Sequence, residues 1–419
     1  MIRRFAAFGH GLLTAPIATY THNRLNAPNR SLMDILYISP DFPPNYAHFV
    51  RGLHAEGIRV WAIGEAEFYS MPADLRSCIR WYVRSDLNNW RQAEQSINEL
   101  LEVKHAQGFE GVFDAVESHN EAWLRLEAFI NERFAIPGIT LRDTHSLKKK
   151  SVMKRIFQEA RLRVARGTVV STVEEAVRLA AELGYPVILK PNEGVGAGGV
   201  HQVDRSAQLE ALFPLLREDY LLEEFVEAPI VTYDGLADEN GKVVFENTLI
   251  YGEGVIEYAR GKDTFFYVGR HIPGRLADIG ASLVSRFGVR RKFFHFEFFV
   301  LDGDFGPIEI NCRPPGGAII DMMNYSIDGD LYRAWARMLL RRPLGLPQEK
   351  KYFVAFIGRK DQPHALSHDA LVERLGPRLL EYAENPPLYW EVMGRYRYLF
   401  RTEEEADVLE IAAAARQEE

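Results

Sequence analysis

The sequence predicts a protein of mixed α/β and α+β class. A parallel α/β domain is followed by a larger region with antiparallel strands and by a small C-terminal α/β appendage. Strand-like and helix-like segments alternate over roughly residues 32–140, and this pattern changes after Pro137-Gly138. An apolar segment with two glutamates then occupies residues 295–317 and reads as an antiparallel hairpin.

The composition is that of an ordinary globular protein. The chain has 419 residues, 47% hydrophobic and 26% charged, with a formal net charge of −8. No long basic run is present, so nucleic acid is not an expected partner. The two cysteines, Cys78 and Cys312, are too few for a disulfide framework or a zinc site and fit a reducing cytoplasm. No apolar run approaches the roughly 18 residues of a membrane span, so no membrane partner is expected.

The first domain is predicted over residues 32–145, after a poorly structured extension of residues 1–31. Short strands are expected at DILYIS, IRVWAIG and GVFDAVES, each followed by a helical pattern, which predicts a parallel sheet. Ligands of such sheets bind beyond the carboxyl ends of the strands. The loops at residues 39–45 and 118–121 are therefore candidate substrate-facing surfaces, with a purely connecting role as the alternative.

A glycine-rich segment follows the strand PVILK, which ends in Lys190. Glycines 194, 196 and 199 match G-x-G-x-x-G, but the strand-like VHQVD follows instead of the helix that a dinucleotide fingerprint requires. The segment therefore predicts a flap between two strands, whose backbone N–H groups can approach phosphate oxygens. A lysine at this point favours a phosphate as its counter-charge. The alternative is a mobile surface hairpin with a lysine that extends to solvent.

A further strand, YLLEEFVEA, carries Glu223 and Glu224. Where such a strand ends in an open hinge, its backbone groups can bind a flat base such as adenine. An ordinary sheet strand is the alternative interpretation.

The most informative segment is HFEFFVLDGDFGPIEINCRPPGG, residues 295–317. HFEFFV and PIEIN predict two antiparallel strands around a turn centred on Gly303. In a symmetric hairpin Glu297 and Glu309 would face each other with Cβ atoms about 5 Å apart, and Asn311 would project from the same face. Like charges this close repel unless a cation lies between them, and three oxygen ligands suit Mg²⁺. An edge hairpin with these side chains in solvent is the alternative.

The order of these segments resembles the ATP-grasp superfamily over roughly residues 146–340. With an α/β domain in front, the chain looks like a carboxylate–amine ligase or a carbamoyl phosphate synthase large subunit. The resemblance implies a small lobe at residues 146–226 with the glycine flap and a large lobe at residues 227–344 with the metal site. The appendage at residues 345–419 shows no recognisable chemistry.

The resemblance also implies ATP and Mg²⁺, or Mn²⁺ in its place, as cofactors. The metal ligands would be Glu297, Glu309 and Asn311. Nucleotide-binding residues would be Lys150 of the K-x-x-M-K motif, Lys190, the flap glycines Gly194, Gly196, Gly198 and Gly199, and Glu223, Glu224, Phe225 and Val226, with backbone groups at Glu224 and Val226 binding adenine.

The acyl-substrate side is assigned in the same way. Arg313, a catalytic candidate, would face the transferred phosphoryl group and the acyl substrate together with Gly316 and Gly317. Arg270 is a second catalytic candidate on the phosphate side. Two departures from the family pattern occur. Residues 228–230 replace a G-x-E sequence, which leaves the ribose contact open with Glu227 as a guess. Three consecutive lysines, 148–150, leave the exact phosphate lysine open by one position.

The expected function is an ATP-dependent ligase that forms a carbon–nitrogen bond. Phosphorylation turns a carboxylate into an acyl phosphate, an amine then displaces phosphate, and ADP and phosphate are released. A bicarbonate-activating enzyme of the carboxylase or carbamoyl phosphate type is the first alternative, and a non-catalytic ATP-binding regulator is the second. The expected partners are small-molecule carboxylates and amines. The sequence specifies neither substrate, and it leaves a homo-oligomer as an open possibility.

Overall fold

The structure is a computed structural model that describes residues 33–194, 199–216, 219–253, 258 and 261–418. The expected extension at residues 1–31 lies outside this part of the chain. Residues 33–419 form one compact unit. Within the described ranges, no helix is both long and apolar enough to cross a membrane. Cys78 and Cys312 are both free.

The first part of the chain forms the predicted parallel α/β layer. Its strands are β1 Asp34–Ile38, β2 Arg59–Gly64, β3 Ile79–Arg84 and β4 Ala115–Glu117, in the order β3-β2-β1-β4. Its helices are α1 Ala47–Ala55, α2 Ala73–Cys78, α3 Trp90–Ala106 and α4 Leu124–Arg133. Strand β3 was not predicted, because an edge strand that is largely exposed has no continuous apolar run to reveal it.

A small antiparallel sheet follows. Its strands are β5 Gly167–Val170, β6 Val187–Pro191, β7 His201–Val203 and β8 Tyr220–Glu224, in the order β5-β8-β6-β7. The helices of this region are α5 Leu141–Lys148, α6 Lys150–Glu159, α7 Val173–Leu183 and α8 Ser206–Leu212. The lysine-rich segment forms two helices and not one, because Lys149 leaves the helical region with ψ 111°. Helix α6 consequently begins at Lys150.

The largest sheet spans the rest of the chain. Its strands are β9 Ile230–Ala237, β10 Val243–Asn247, β11 Leu249–Tyr251, β12 Thr264–Val268, β13 Phe293–Leu301, β14 Asp304–Asn311, β15 Phe353–Arg359, β16 Leu379–Glu384 and β17 Tyr396–Thr402. The order is β14-β13-β9-β11-β12-β15-β17-β16, and β10 pairs with β9. Its helices are α9 Gly274–Arg286, α10 Ile319–Ile327, α11 Leu331–Leu339, α12 His368–Leu375, α13 Trp390–Met393 and α14 Glu405–Ala415.

The C-terminal strands extend this large sheet and do not form a sheet of their own. Strand β15 pairs with β12 over five residues, and every residue of both strands is buried. A strand that is buried on both faces needs a partner on each side for its backbone groups. The region expected as an appendage is therefore continuous with the sheet that carries the glutamate hairpin.

One hydrophobic core joins the parallel layer to the large sheet. Phe49 of α1 lies 5.4 Å from Phe293 of β13 and 5.9 Å from Trp335 of α11, measured between ring centroids. All three rings are buried in the same cluster. This packing fixes the carboxyl edge of the parallel sheet against the start of the hairpin strand.

Candidate active site

A cavity of about 1200 Å³ lies between the small sheet and the β13–β14 hairpin. The charged side chains that line it are Lys150, Lys154, Lys190, Glu223, Glu224, Glu227, Glu253, Glu297, Glu309 and Arg313. Phe225, Val226 and Asn311 also belong to its wall. Most of the residues singled out from the sequence thus meet in one space.

The hairpin brings Glu297 and Glu309 directly opposite each other, as expected. The turn contains only Asp302 and Gly303, both with positive φ, so a regular ladder would place Glu297 opposite Ile308. A one-residue bulge between Pro307 and Glu309 shifts the register and restores the pair. The pairing was therefore predicted correctly, although the expected turn centre, Gly303, differs from the observed one, which lies between Asp302 and Gly303.

A buried histidine, His295, forms a hydrogen bond with Glu297. His295 lies two residues earlier on the same face of β13, with Nε2 3.2 Å from Glu297 Oε1 and Nδ1 2.6 Å from Asp234 Oδ1. Burial would lower the pKa of His295, but Asp234 overcomes this effect and raises it to about 9. Burial likewise opposes ionisation of Glu297, yet the hydrogen bond and charge of His295 hold the pKa of Glu297 below its usual value. Glu297 is therefore ionised.

Glu309 is partnered by the lysine that begins α6. Lys150 Nζ donates to Glu309 Oε1 at 2.8 Å, and the backbone N–H of Lys150 donates to the Asn192 carbonyl at 2.8 Å. Burial raises the pKa of Glu309, and the charge of Lys150 offsets part of that rise. The two glutamates face each other in the structure because each has a separate cationic partner, His295 or Lys150.

Glu223 lies between two buried lysines. Its carboxylate accepts a hydrogen bond from Lys154 Nζ and is 2.6 Å from Lys190 Nζ. Burial would lower the pKa of Lys190, but Glu223 raises it above the usual value. Burial would raise the pKa of Glu223, but Lys190 and Lys154 lower it. Lys190 and Glu223 therefore keep each other ionised although both are buried.

The segment after β8 forms one wall of the cavity. The Glu224 N–H donates to the Arg166 carbonyl at 2.9 Å, and its carboxylate pairs with the Arg166 guanidinium at 2.6 Å. The Phe225 N–H faces the Pro186 carbonyl at 3.4 Å. The N–H of Glu224 is therefore engaged within the protein, and Val226 is the next backbone position along this wall.

The described flap residues are Gly194 and Gly199, and Gly196 and Gly198 lie outside the described part of the chain. Gly199 has φ +76°, and a Cβ atom there would lie 2.9 Å from Pro191 Cγ. A glycine is therefore required at this position by both conformation and space.

Arg313 reaches from β14 towards the first domain. Its Nε is 3.4 Å from Glu121 Oε2, and its Nη1 donates to the Pro314 carbonyl at 3.0 Å. The following turn contacts the loop after β1, where Asn45 Nδ2 donates to the Gly317 carbonyl at 2.6 Å. Gly316 is exposed. The loops at residues 39–45 and 118–121 thus reach the segment that holds Arg313.

Arg270 is placed away from this site. Its guanidinium donates to the carbonyl oxygens of Lys350 and Glu403 at 3.3 and 2.9 Å and lies over the Phe353 ring. Within the described residues, the cavity wall does not include it. These contacts give Arg270 a structural role at the edge of β15, in contrast to the expectation from the sequence.

Three residues of the site were not assigned from the sequence. Lys154 ends the K-x-x-M-K motif, one helical turn after Lys150. This spacing predicts that the two lysines lie on the same face of a helix. His295 precedes Glu297 by two residues in a strand, which also predicts a shared face. Glu121 lay in a loop already singled out, but nothing in the sequence linked it to Arg313.

Part of the chain matches a known domain family. Residues 183–321 match the model of the ATP-grasp domain. In sequence, the chain is similar to the carbamoyl phosphate synthase arginine-specific large chain of Geobacillus stearothermophilus, with 26% identity over 188 residues, 42% of this chain and 17% of that protein. It is also similar to the alanine–anticapsin ligase of Bacillus subtilis, with 24% identity over 192 residues, 44% of this chain and 39% of that protein. The chain thus spans well under half the length of these relatives.

In structure, the chain is similar to the L-amino acid ligase of Bacillus licheniformis. The TM-score is 0.68 at 15% sequence identity, over 92% of this chain and 97% of that protein. At this identity the similarity shows a shared fold, and it extends over the parallel layer as well as over the region of the family match. The sequence match, the fold and the facing glutamates agree, and residues 183–321 are an ATP-grasp domain.

Proposed function

We propose that the protein is an ATP-dependent ligase that activates a carboxylate as an acyl phosphate, joins it to an amine and releases ADP and phosphate. The observation that supports this proposal most strongly is the pair of partly buried glutamates, Glu297 and Glu309. They face each other across the hairpin in a cavity that also holds three lysines and Arg313. Phosphoryl transfer depends mainly on positioning and on charge stabilisation, and these side chains supply both.

Glu297, Glu309 and Asn311 would hold Mg²⁺, or Mn²⁺ in its place. The donor set fits a hard cation, because it combines two carboxylates with a carboxamide oxygen. The raised pKa of Glu309 also fits, since a buried carboxylate that is costly to ionise gains most from an added positive charge. When bound, the metal would neutralise charge on the phosphoryl group as it is transferred.

Lys150 and Lys190 would bind the phosphates, and the side chain of Lys154 extends this cationic surface. In the nucleotide-free protein, Glu223 and Glu309 balance these lysines. A phosphate chain would replace part of that balance, and the flap residues Gly194, Gly196, Gly198 and Gly199 would donate backbone N–H groups to it.

The base would lie against Phe225 and Val226. The N–H of Val226 would bind adenine, because the N–H of Glu224 already donates to Arg166. The remaining backbone group of Glu224 suited to this task is its carbonyl, which would accept from the exocyclic amine of adenine. The sequence predicted only that backbone groups of Glu224 and Val226 bind adenine. This proposal assigns the carbonyl of Glu224 and the N–H of Val226 to that role.

Arg313 would contact the transferred phosphoryl group, with Gly316 and Gly317 next to the acyl substrate. Burial would lower the pKa of Arg313, but Tyr46 and Glu121 raise it, so the guanidinium is a permanent cation at the end of the cavity. The acid and amine would enter between residues 313–317 and the loops of the first domain. Both would be small molecules, because the cavity of about 1200 Å³ must also hold the nucleotide.

Bicarbonate is the alternative substrate. The sequence similarity to a carbamoyl phosphate synthase favours this second candidate. The two candidates share the nucleotide site and differ in the acid that is phosphorylated, so ADP release with bicarbonate and with organic acids separates them.

The substitution Glu309→Gln tests the proposal. It keeps the size of the side chain and removes the charge that would bind the metal. Thermal stabilisation by Mg·ATP should be largely lost, and turnover should fall by about three orders of magnitude or more, on the scale of removing a part of a phosphoryl-transfer site. Glu246→Gln is the control, since Glu246 is an exposed residue of the same sheet and lies outside the cavity wall. Turnover in Glu309→Gln similar to that of Glu246→Gln would exclude the metal site.

A further inference from the structure

Two loops of the first domain hold the segment that follows β14. Asn45 donates to the Gly317 carbonyl at 2.6 Å, and the Tyr46 hydroxyl donates to the Pro314 carbonyl at 3.1 Å. Glu121 lies 3.4 Å from Arg313 Nε. These contacts come from the loops after β1 and β4, at the carboxyl edge of the parallel sheet, and they all converge on residues 313–317.

Glu121 has little freedom to move. It is 3% exposed, and its own carbonyl accepts a hydrogen bond from Lys148 Nζ at 2.9 Å. The same Lys148 Nζ lies 3.8 Å from the Glu121 carboxylate. Both the backbone and the side chain of Glu121 are therefore fixed by α5, the helix that leads into the small sheet.

A buried lysine fixes the loop from the side of the large sheet. Lys292 Nζ, next to the start of β13, lies 2.6 Å from Glu117 and 2.8 Å from Glu127. Glu117 Oε1 also accepts the backbone N–H groups of Ser118 and His119, at 3.0 and 2.9 Å. The loop that carries Glu121 is thus tied to the strand that carries Glu297.

We propose that Glu121 and Tyr46 are positioning residues for Arg313, and that the Lys292–Glu117 pair keeps Glu121 in register. This inference rests on the proposed role of Arg313 in phosphoryl transfer. An arginine side chain without a partner samples many rotamers. The buried carboxylate of Glu121 next to Nε would restrict Arg313 to rotamers in which the terminal nitrogens point away from Glu121. The first domain would then be part of the reaction site even where it does not touch a substrate.

The substitution Glu121→Gln tests the inference. The kcat for ADP formation should fall at least about tenfold, because Arg313 is no longer held, while the KM for ATP should change less than about twofold. The matched control is Glu56→Gln. Glu56 is another buried carboxylate of the first domain, and it pairs with Arg333 and Arg337 at 2.8 and 2.9 Å, outside the cavity wall. This control should leave kcat unchanged.

A double-mutant cycle with Arg313→Lys tests whether Glu121→Gln lowers kcat through Arg313. If Glu121 acts through Arg313, then Glu121→Gln should lower kcat less than about twofold in the Arg313→Lys background. An undiminished loss in that background would overturn the inference.

A measurement without turnover separates the inference from the proposed function. The N–H groups of Ile319 and Met322 donate to the carbonyls of Gly316 and Ala318 at 3.5 and 2.9 Å. Amide hydrogen exchange of Ile319 and Met322 in the nucleotide-free protein should be at least about tenfold faster in Glu121→Gln, and also in Asn45→Ala, than in Glu56→Gln. Unchanged exchange in both variants would overturn the inference. Absence of ATP cleavage by the wild type with every acid would instead refute the proposed function, and the exchange result would still decide the positioning role.

Discussion

The substitution Glu223→Gln tests the charge balance of the nucleotide-free site. Glu223 lies between Lys154 and Lys190, and the side chains of all three are about 10% exposed or less. Removing one partner from a buried ionic group typically costs about 3–5 kcal/mol, because the remaining charge is left uncompensated. Glu309 and Glu297 also stabilise the charge of Lys190, so we expect the lower end, about 3 kcal/mol.

The measurement is the free energy of unfolding in urea, followed by circular dichroism, with Glu224→Gln as the matched control. Glu224 is the next residue, but its partner Arg166 is 64% exposed in its side chain, so the control should lose at most about 1 kcal/mol. Mg·ATP should recover part of the loss in Glu223→Gln, since phosphates would supply negative charge to Lys190. Equal stability of the two variants would refute the view that Glu223 balances the two lysines.

Three further predictions concern other parts of the molecule. His119 is buried against Phe49 with its pKa lowered to about 3. Because an unfolded histidine takes up its proton near pH 6.5, stability should fall as the pH drops below about 6.5. His119→Phe should reduce the dependence of the free energy of unfolding on pH, and the control His54→Gln, at an exposed histidine, should leave it unchanged. The measurement is urea unfolding at a series of pH values between about 4 and 7. Arg270→Gln should cost about 1–2 kcal/mol of stability through its lost carbonyl contacts and leave kcat within about twofold, so a large loss of kcat at normal stability would restore Arg270 to the site. Amide exchange of residues 192–200 should slow when Mg·ATP is added, and equal exchange in both states would argue against a phosphate-covering flap.

The glutamate hairpin shows which structural details a sequence pattern can predict and which it cannot. Two apolar strands around a short turn were enough to predict that Glu297 and Glu309 face each other, because side-chain direction in a strand follows a period of two. The bulge at Ile308 was not visible, since a single extra residue leaves the apolar pattern almost unchanged. The correct pair resulted because the error in the turn centre and the bulge compensate each other.

Ion pairs between distant segments were the least predictable part of the site. Lys190 was expected to carry a positive charge next to phosphate, but its pairing with Glu223 depends on the register of β6 against β8. Glu121 and Arg313 are 192 residues apart in the chain, and no local pattern connects them. Arg270 was misplaced for the same reason, because its contacts come from residues far along the chain that join the sheet at β15.

The products of ATP cleavage test the central claim most directly. If Glu297, Glu309 and Asn311 hold the metal and Arg313 lies beside them, the site would stabilise the charge of the terminal phosphoryl group. Incubation of the protein with Mg·ATP, the acid and hydroxylamine, without an amine, should therefore yield ADP, phosphate and a hydroxamate in equal amounts. AMP and pyrophosphate as the nucleotide products would contradict the account, because they require attack at the α-phosphate.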